Sequence, residues 1–282
     1  MTEKAEQTES PPPATSPAAA SSDRWADLRP RVVSAAVMLV LGAVAIWRGG
    51  ALFAELAVLC TALMTWELAR MTRGEGRDLS IPLAALAAVV LALVLWVQAP
   101  WPLAGLLLPS VVGVLTPRRD PVVYAGYAAV IMLTGLSLVI VRQSLGVGPM
   151  IWLLAVVIAS DTAGYFAGRI LGGPKFWPRI SPKKTWSGTI AGWVGAALVG
   201  LVAWAAGVGG PLLVLVSPLV AFAGQMGDIA ESAIKRRAGV KDSSALIPGH
   251  GGLMDRFDAL AFAAIATVML QAILPFLSVI KV

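Results

Sequence analysis

Charge is what this 282-residue chain has least of. Charged residues make up 13% of it, about half the share of a soluble domain, and this excludes an ordinary water-soluble globule. Cysteine and histidine occur once each. A lone Cys60 forms no intramolecular disulfide, and its place in an apolar run makes it a small core residue. A zinc site through His250 lacks its companions. No GxxxxGK[ST] stretch is present, so the chain is not a P-loop nucleotidase. A signal-peptide apolar centre is missing as well. The segment "TESPPPATSPAAASS" is rich in Pro, Ala, Ser and Thr, and predicts an uncleaved, disordered tail over residues 1–30.

What is abundant is apolar sequence, 57% of the chain. A bilayer core needs about 20 apolar residues per helix. Runs of this kind lie near 32–47, 51–69, 79–98, 101–116, 121–141, 150–170, 188–206, 211–230 and 257–280. Gly49-Gly50, Pro100, Pro117, Pro149 and Gly209-Gly210-Pro211 mark the junctions. The expected fold is an all-α polytopic membrane protein with about nine transmembrane helices.

Charge placement gives the orientation. With a cytoplasmic N-terminus, all of the 22 Lys and Arg face the cytoplasm except Arg48, Arg142 and Lys281. The positive-inside rule expects such a bias. Val282 then lies on the opposite side. The net charge of +6 reads as topology and anionic partners, with no nucleic acid among them. Ionisable groups are sparse within the spans up to residue 142. From Asp161 on they crowd the cytoplasmic ends of the later spans. The chain is accordingly divided into an N-terminal transmembrane region, 31–142, and a C-terminal transmembrane catalytic region, 143–282.

Three polar constellations stand out. In "GQMGDIAESAIKRR" a helix places Asp228, Glu231, Ser232 and Lys235 on one face. Unpaired acids there cost roughly 2.5–3.5 kcal/mol on insertion scales. A self-contained Glu231–Lys235 pair accounts for one acid and leaves Asp228 without a partner. In "PGHGGLMDRFD" glycines around His250 allow close approach of a ligand. Asp255 and Asp258 open a helix, where the dipole favours carboxylates and capping is an alternative role. A carboxylate from here facing Asp228 suits Mg²⁺, which is commonly held by one or two carboxylates and substrate phosphates. The third is "ASDTAGYFAGRILGG" with "ISPKKTWSGT". Ser160, Gly164, Gly168 and Gly172 form a small-residue stripe for close helix packing. Asp161 beside it is an intramembrane acid. Lys183 and Lys184 sit in a short loop, to anchor anionic lipid or to neutralise a polyphosphate. Glu67 in "TWELAR" lies within pairing reach of Arg70 and Arg73.

The stretch from Ser232 to Asp258 carries SAIKR, then Lys241-Asp242, then PGHGGLMDRFD. It resembles the signature of the phosphatidate cytidylyltransferases (CDP-diacylglycerol synthases) without departure. "ISPKKTWSG", Asp161 and "WELAR" are similar to that family too. The resemblance implies transfer of a cytidylyl group from CTP to phosphatidate with Mg²⁺ in phospholipid biosynthesis, at the cell's inner (cytoplasmic) membrane, on the cytoplasmic face. It places Asp228, Asp255, Lys241, His250 and Arg256 as catalytic residues. Lys183, Lys184, Ser232, Lys235, Arg236 and Asp258 are expected to bind substrate. Asp228 and Asp255 lead the metal ligands, with Asp161 and Glu231 behind them. Expected partners are CTP, phosphatidate and membrane lipids, and a homodimer is a further candidate. Competing readings are an enzyme acting on an isoprenoid lipid and an ion-coupled transporter, whose sites favour the midplane and internal repeats.

Overall fold

The computed structural model describes residues 17–97 and 100–277. Helices dominate it: α1 (Pro17–Arg48), α2 (Gly50–Met71), α3 (Ser80–Trp96), α4 (Leu108–Val114), α5 (Pro121–Ile140), α6 (Val147–Ile170), α7 (Trp186–Ala205), α8 (Leu213–Arg237) and α9 (Met254–Ile273). The tail residues 1–16, and Lys281 and Val282 at the other end, lie outside the described residues. Residues 17–30, placed in the tail by composition, are helical here and form the first turns of α1.

Seven of these helices are long and apolar enough to cross a membrane, where the sequence suggested nine. α3 has 17 residues, about 25 Å at 1.5 Å per residue, short of a hydrocarbon core of about 30 Å. The expected fourth span is a 3₁₀ turn, Trp101–Leu107, followed by the seven residues of α4. Pro102 and Pro109 remove backbone donors there and prevent one continuous helix.

These two short pieces nevertheless leave and return together. Gly74 N–H donates to the Pro117 carbonyl (3.2 Å) and Arg119 N–H to the Thr72 carbonyl (3.1 Å). Arg118 lies over the Tyr124 ring, 3.7 Å from its centroid, and donates to the carbonyls of Gly113 and Ala69. The loop after α2 and the loop before α5 therefore share one face, and the alternation of later helices is the same for seven spans as for nine.

A small hairpin interrupts the helical pattern. Strands β1 (Lys175–Trp177) and β2 (Ser181–Thr185) pair antiparallel, Lys175 opposite Thr185 and Trp177 opposite Ser181. α6 and α7 then meet along small residues, as the stripe predicts. A Cβ on Gly188 would stand 2.5 Å from the Gly164 carbonyl oxygen, and one on Gly192 would stand 2.8 Å from Ser160 Oγ. Gln225 of α8 binds both neighbours, donating to Ser160 Oγ (3.1 Å) and accepting from Trp193 Nε1 (3.1 Å). One apolar core runs through α2, α5, α6, α8 and α9 around buried Trp152 and Leu153. A second, with Met64, Leu68, Tyr127 and Met254, underlies the start of α9.

Candidate active site

The hairpin ends at Thr185, whose Oγ1 accepts from Gly188 N–H (3.2 Å) and caps α7. That cap fixes the direction in which the strand delivers Lys183 and Lys184. Both line a cavity of about 480 Å³ between α6, α7 and α8, together with Asp161, Gln225 and Asp228. Lys184 Nζ is 2.6 Å from Asp228 Oδ2 and donates to the Gln225 carbonyl (3.2 Å).

Asp228 opens onto an acidic cluster. Asp228, Glu231 and Asp258 bring carboxylate oxygens within 4.8 Å of one another. Close contact of α8 with α9 makes this approach possible: at Gly227 the α8 backbone meets the Asp258 carbonyl directly. Glu231 is fully buried, and neither of its oxygens accepts a hydrogen bond among the described residues. Lys235 Nζ stands 3.0 Å from Glu231 Oε2, out of hydrogen-bonding line, and 2.6 Å from Asp255 Oδ1, to which it donates. The Glu231–Lys235 pair expected on α8 is present as a charge pair, but Lys235 is shared with Asp255 and gives Glu231 no hydrogen bond. A buried carboxylate without hydrogen bonds costs several kcal/mol unless a cation meets it. Three carboxylates so close exceed what Lys184 and the shared Lys235 neutralise, and the group fits a small divalent cation.

Asp255 is differently placed. Its Oδ2 accepts from Ser243 N–H (2.9 Å), Ser243 Oγ (3.0 Å) and Gly252 N–H (2.7 Å). With Lys235 on Oδ1, both of its oxygens are engaged by protein groups. The expected sharing of one ion by Asp228 and Asp255 is not what the geometry brings together; Glu231 and Asp258 stand beside Asp228 instead. Asp161 lines the cavity and is outside the three-carboxylate group. Ser232 Oγ reaches Asp228 Oδ1 at 3.4 Å.

The glycines around His250 approach protein groups. A Cβ on Gly251 would stand 2.7 Å from Asp255 Oδ2, one on Gly252 would collide with Ser243 and Glu67, and one on Gly249 with Arg31. His250 Nδ1 is 2.9 Å from Ser34 Oγ on α1. Lys183, Arg236, Lys241 and Arg256 are exposed and make no ion pair among the described residues. Asp258, expected to orient Arg256, accepts instead from Ala259 N–H (2.7 Å).

Sequence reasoning missed Glu67. It pairs with neither Arg70 nor Arg73; Arg70 lies over the Trp66 ring and Arg73 pairs with Asp78 (3.4 Å). Glu67 is fully buried and accepts from Ser244 Oγ (2.6 Å), Leu253 N–H (2.8 Å), Met254 N–H (2.6 Å) and Ser243 Oγ (3.2 Å). An acid close to the end of a largely apolar span was the available signal.

Fold and site define a multi-pass helical membrane protein with a charged centre recessed between its last four helices. The chain belongs to the cytidylyltransferase family, whose sequence model matches residues 29–274. Similar proteins include the phosphatidate cytidylyltransferase of Brucella suis biovar 1 (strain 1330), 43% identical over 178 residues, 61% of this chain and 57% of that one. That of Helicobacter pylori (strain ATCC 700392 / 26695) is 41% identical over 143 residues, 50% of this chain and 52% of that one. That of Staphylococcus epidermidis (strain ATCC 35984) is 31% identical over 258 residues, 83% of this chain and 95% of that one. The chain thus spans a little over half the length of the Brucella and Helicobacter relatives.

Proposed function

We propose that this protein transfers the cytidylyl group of CTP to phosphatidate, giving CDP-diacylglycerol and pyrophosphate. A phosphate oxygen of the lipid forms a bond to the α-phosphorus of CTP, and the bond from that phosphorus to the β-phosphate oxygen breaks. The nucleophile is already anionic, so no protein base is required. The observation that carries the reading is the juxtaposition of buried Glu231, whose oxygens accept no hydrogen bond among the described residues, with Asp228, Asp258 and Lys184. The names of the relatives agree with it; the isoprenoid-lipid enzyme and the transporter have no comparable support.

Mg²⁺ belongs to the proposal, held by Asp228, Glu231 and Asp258. When bound it neutralises charge on the triphosphate and on the transferring phosphorus. Lys184 and Lys183 meet the phosphates in the cavity. Lys235 holds Asp255, and Asp255 holds Ser243 and Gly252, which keeps the loop before α9 in place. Exposed Arg236, Lys241 and Arg256 supply positive charge near the cytoplasmic end of α8 and the start of α9. Ser34 holds His250 through Nδ1, which orients the ring and leaves Nε2 to meet substrate.

The orientation proposed is N-terminus and site toward the cytoplasm, in the inner membrane; the distribution of Lys and Arg supports it. Homodimerisation is carried along with it, to be read from the mass of the detergent-purified protein. The deciding experiment supplies purified protein with phosphatidate, labelled CTP and Mg²⁺. Label appearing in a lipid-soluble product supports the reading, and label confined to water-soluble species with folded protein rejects it.

A further inference from the structure

We propose that Glu67, on α2 and outside the acidic cluster, is a positioning residue that sets the start of α9 for the reaction. This rests on the cytidylyl-transfer reading above.

The first N–H groups of a helix have no partner within it. Leu253 at the start of α9 has no side-chain cap of its own. Glu67 supplies that cap from another helix, its two oxygens accepting from Leu253 N–H and Met254 N–H. Negative charge at a helix N-terminus is favourable as well. The same two oxygens accept from the hydroxyls of Ser243 and Ser244. The connecting loop is therefore fastened to one carboxylate at two points, 243–244 in its middle and 253–254 at its end. Three donors are its own and Ser243 shares a fourth with Asp255, so both oxygens of Glu67 are engaged in holding the loop.

A short path leads from there to the cluster. Ser243 Oγ is 3.2 Å from Glu67 Oε2 and 3.0 Å from Asp255 Oδ2, and it has a single proton for the two carboxylates. Asp255 is joined to Lys235, and Lys235 stands next to Glu231. Asp258 follows one turn along α9. A loosened N-terminus of α9 thus moves a carboxylate of the cluster directly and disturbs the cation beside another. Gly252 lies where a Cβ would strike both Ser243 and Glu67, so the loop has no slack to absorb the change.

The test uses Glu67→Gln in the full chain. The amide keeps the size, but its NH₂ faces N–H or O–H donors and loses acceptor capacity. Mn²⁺ binding to nucleotide-free, detergent-purified protein is followed by paramagnetic resonance, beside kcat and the KM for CTP. The expected result is roughly tenfold weaker Mn²⁺ binding, the usual size for a residue that orients ligands without being one. A kcat drop of about tenfold with CTP KM within about threefold accompanies it. Ser244→Ala removes a single donor and is expected to shift Mn²⁺ affinity in the same direction by about threefold; it decides alone if Glu67→Gln does not fold. Wild-type Mn²⁺ affinity and kcat in folded Glu67→Gln, or wild-type Mn²⁺ affinity in Ser244→Ala, overturn the proposal. Wild-type protein that binds Mn²⁺ and makes no CDP-lipid would sink the proposed reaction, and the Mn²⁺ measurement would still decide the role of Glu67.

Discussion

Lys184 of the hairpin and Asp228 of α8 neutralise each other across the cavity floor, Nζ to Oδ2 at 2.6 Å. In the proposed reaction their tasks differ: the ammonium meets phosphate and the carboxylate meets a metal. Substrate binding would exchange one partner for another without ever leaving a bare charge. Lys184→Ala should raise the KM for CTP about tenfold and leave that for phosphatidate within about twofold. Lys241→Ala, at an exposed residue without an ion pair, should do the same more weakly. Steady-state kinetics with each substrate varied checks both. Wild-type constants for Lys184→Ala would reduce that lysine to a counter-ion of Asp228.

Glu231 makes an unusual demand on the fold, because both of its oxygens are buried without a hydrogen bond. Glu231→Gln removes the charge, and Lys235 keeps Asp255 as partner. We expect the metal-free protein to be no less stable, because repulsion from Asp228 and Asp258 is relieved while the Lys235 contact is lost, and activity to fall at least about a hundredfold. Melting curves in chelator and an activity assay read the two effects. A lower melting temperature in chelator would contradict this account of Glu231.

Asp228→Asn and Asp258→Asn should each weaken Mg²⁺ activation sharply, and the double variant should be little worse than either alone. Groups that act as a unit are non-additive in this way. Losses that multiply, with Mg²⁺ dependence unchanged, would assign the two residues separate structural roles. Asp255→Asn should instead lower stability, because Ser243 and Gly252 donate to it.

Gly252→Ala is expected to cost about 1–3 kcal/mol, the range for overpacking, and to abolish most activity. Gly126→Ala, with open space at its Cβ, serves as the neutral control. Thermal melts of both variants in one detergent make the comparison. Equal melting temperatures would mean that the loop yields more easily than the contacts at Gly252 imply.

Topology is open to a labelling test because Cys60 is the only cysteine. In a Cys60→Ala background, Glu75→Cys follows α2 and Ser144→Cys follows α5. Impermeant maleimide on intact and on opened cells should find them on opposite sides, with Glu75→Cys cytoplasmic. Both on one side would refute the alternation.

Much of this arrangement was legible in the chain. Every apolar run named beforehand became a helix or a pair of short helical pieces, because run length and Gly or Pro punctuation determine where helices end. The face Asp228, Glu231, Ser232 and Lys235 followed from helical spacing alone, as did a close helix contact along the small residues of α6, though not that α7 makes it. The partners of single acids were not legible. Asp255 and Asp258 lie three apart on one helix and look alike in sequence. Only the path of the loop from Ser243 to Gly252 shows that one is enclosed and the other faces Asp228. Glu67 was hidden for the same reason, since its donors lie about 180 residues away. α3 and the stretch Trp101–Val114 read as spans because hydropathy reports apolarity, and neither the shortness of α3 nor the break at Pro109.

The backbone stitch between 72–74 and 117–119 bears on how the chain is made. Everything from α3 through α4 emerges from and returns to a single aqueous face. The stitch can close only after Arg119 has been synthesised, so α3 and α4 are both made before the two loops can be tied together. Because this stretch enters and leaves on the same side, errors in its insertion would leave the orientation of α5 to α9 intact.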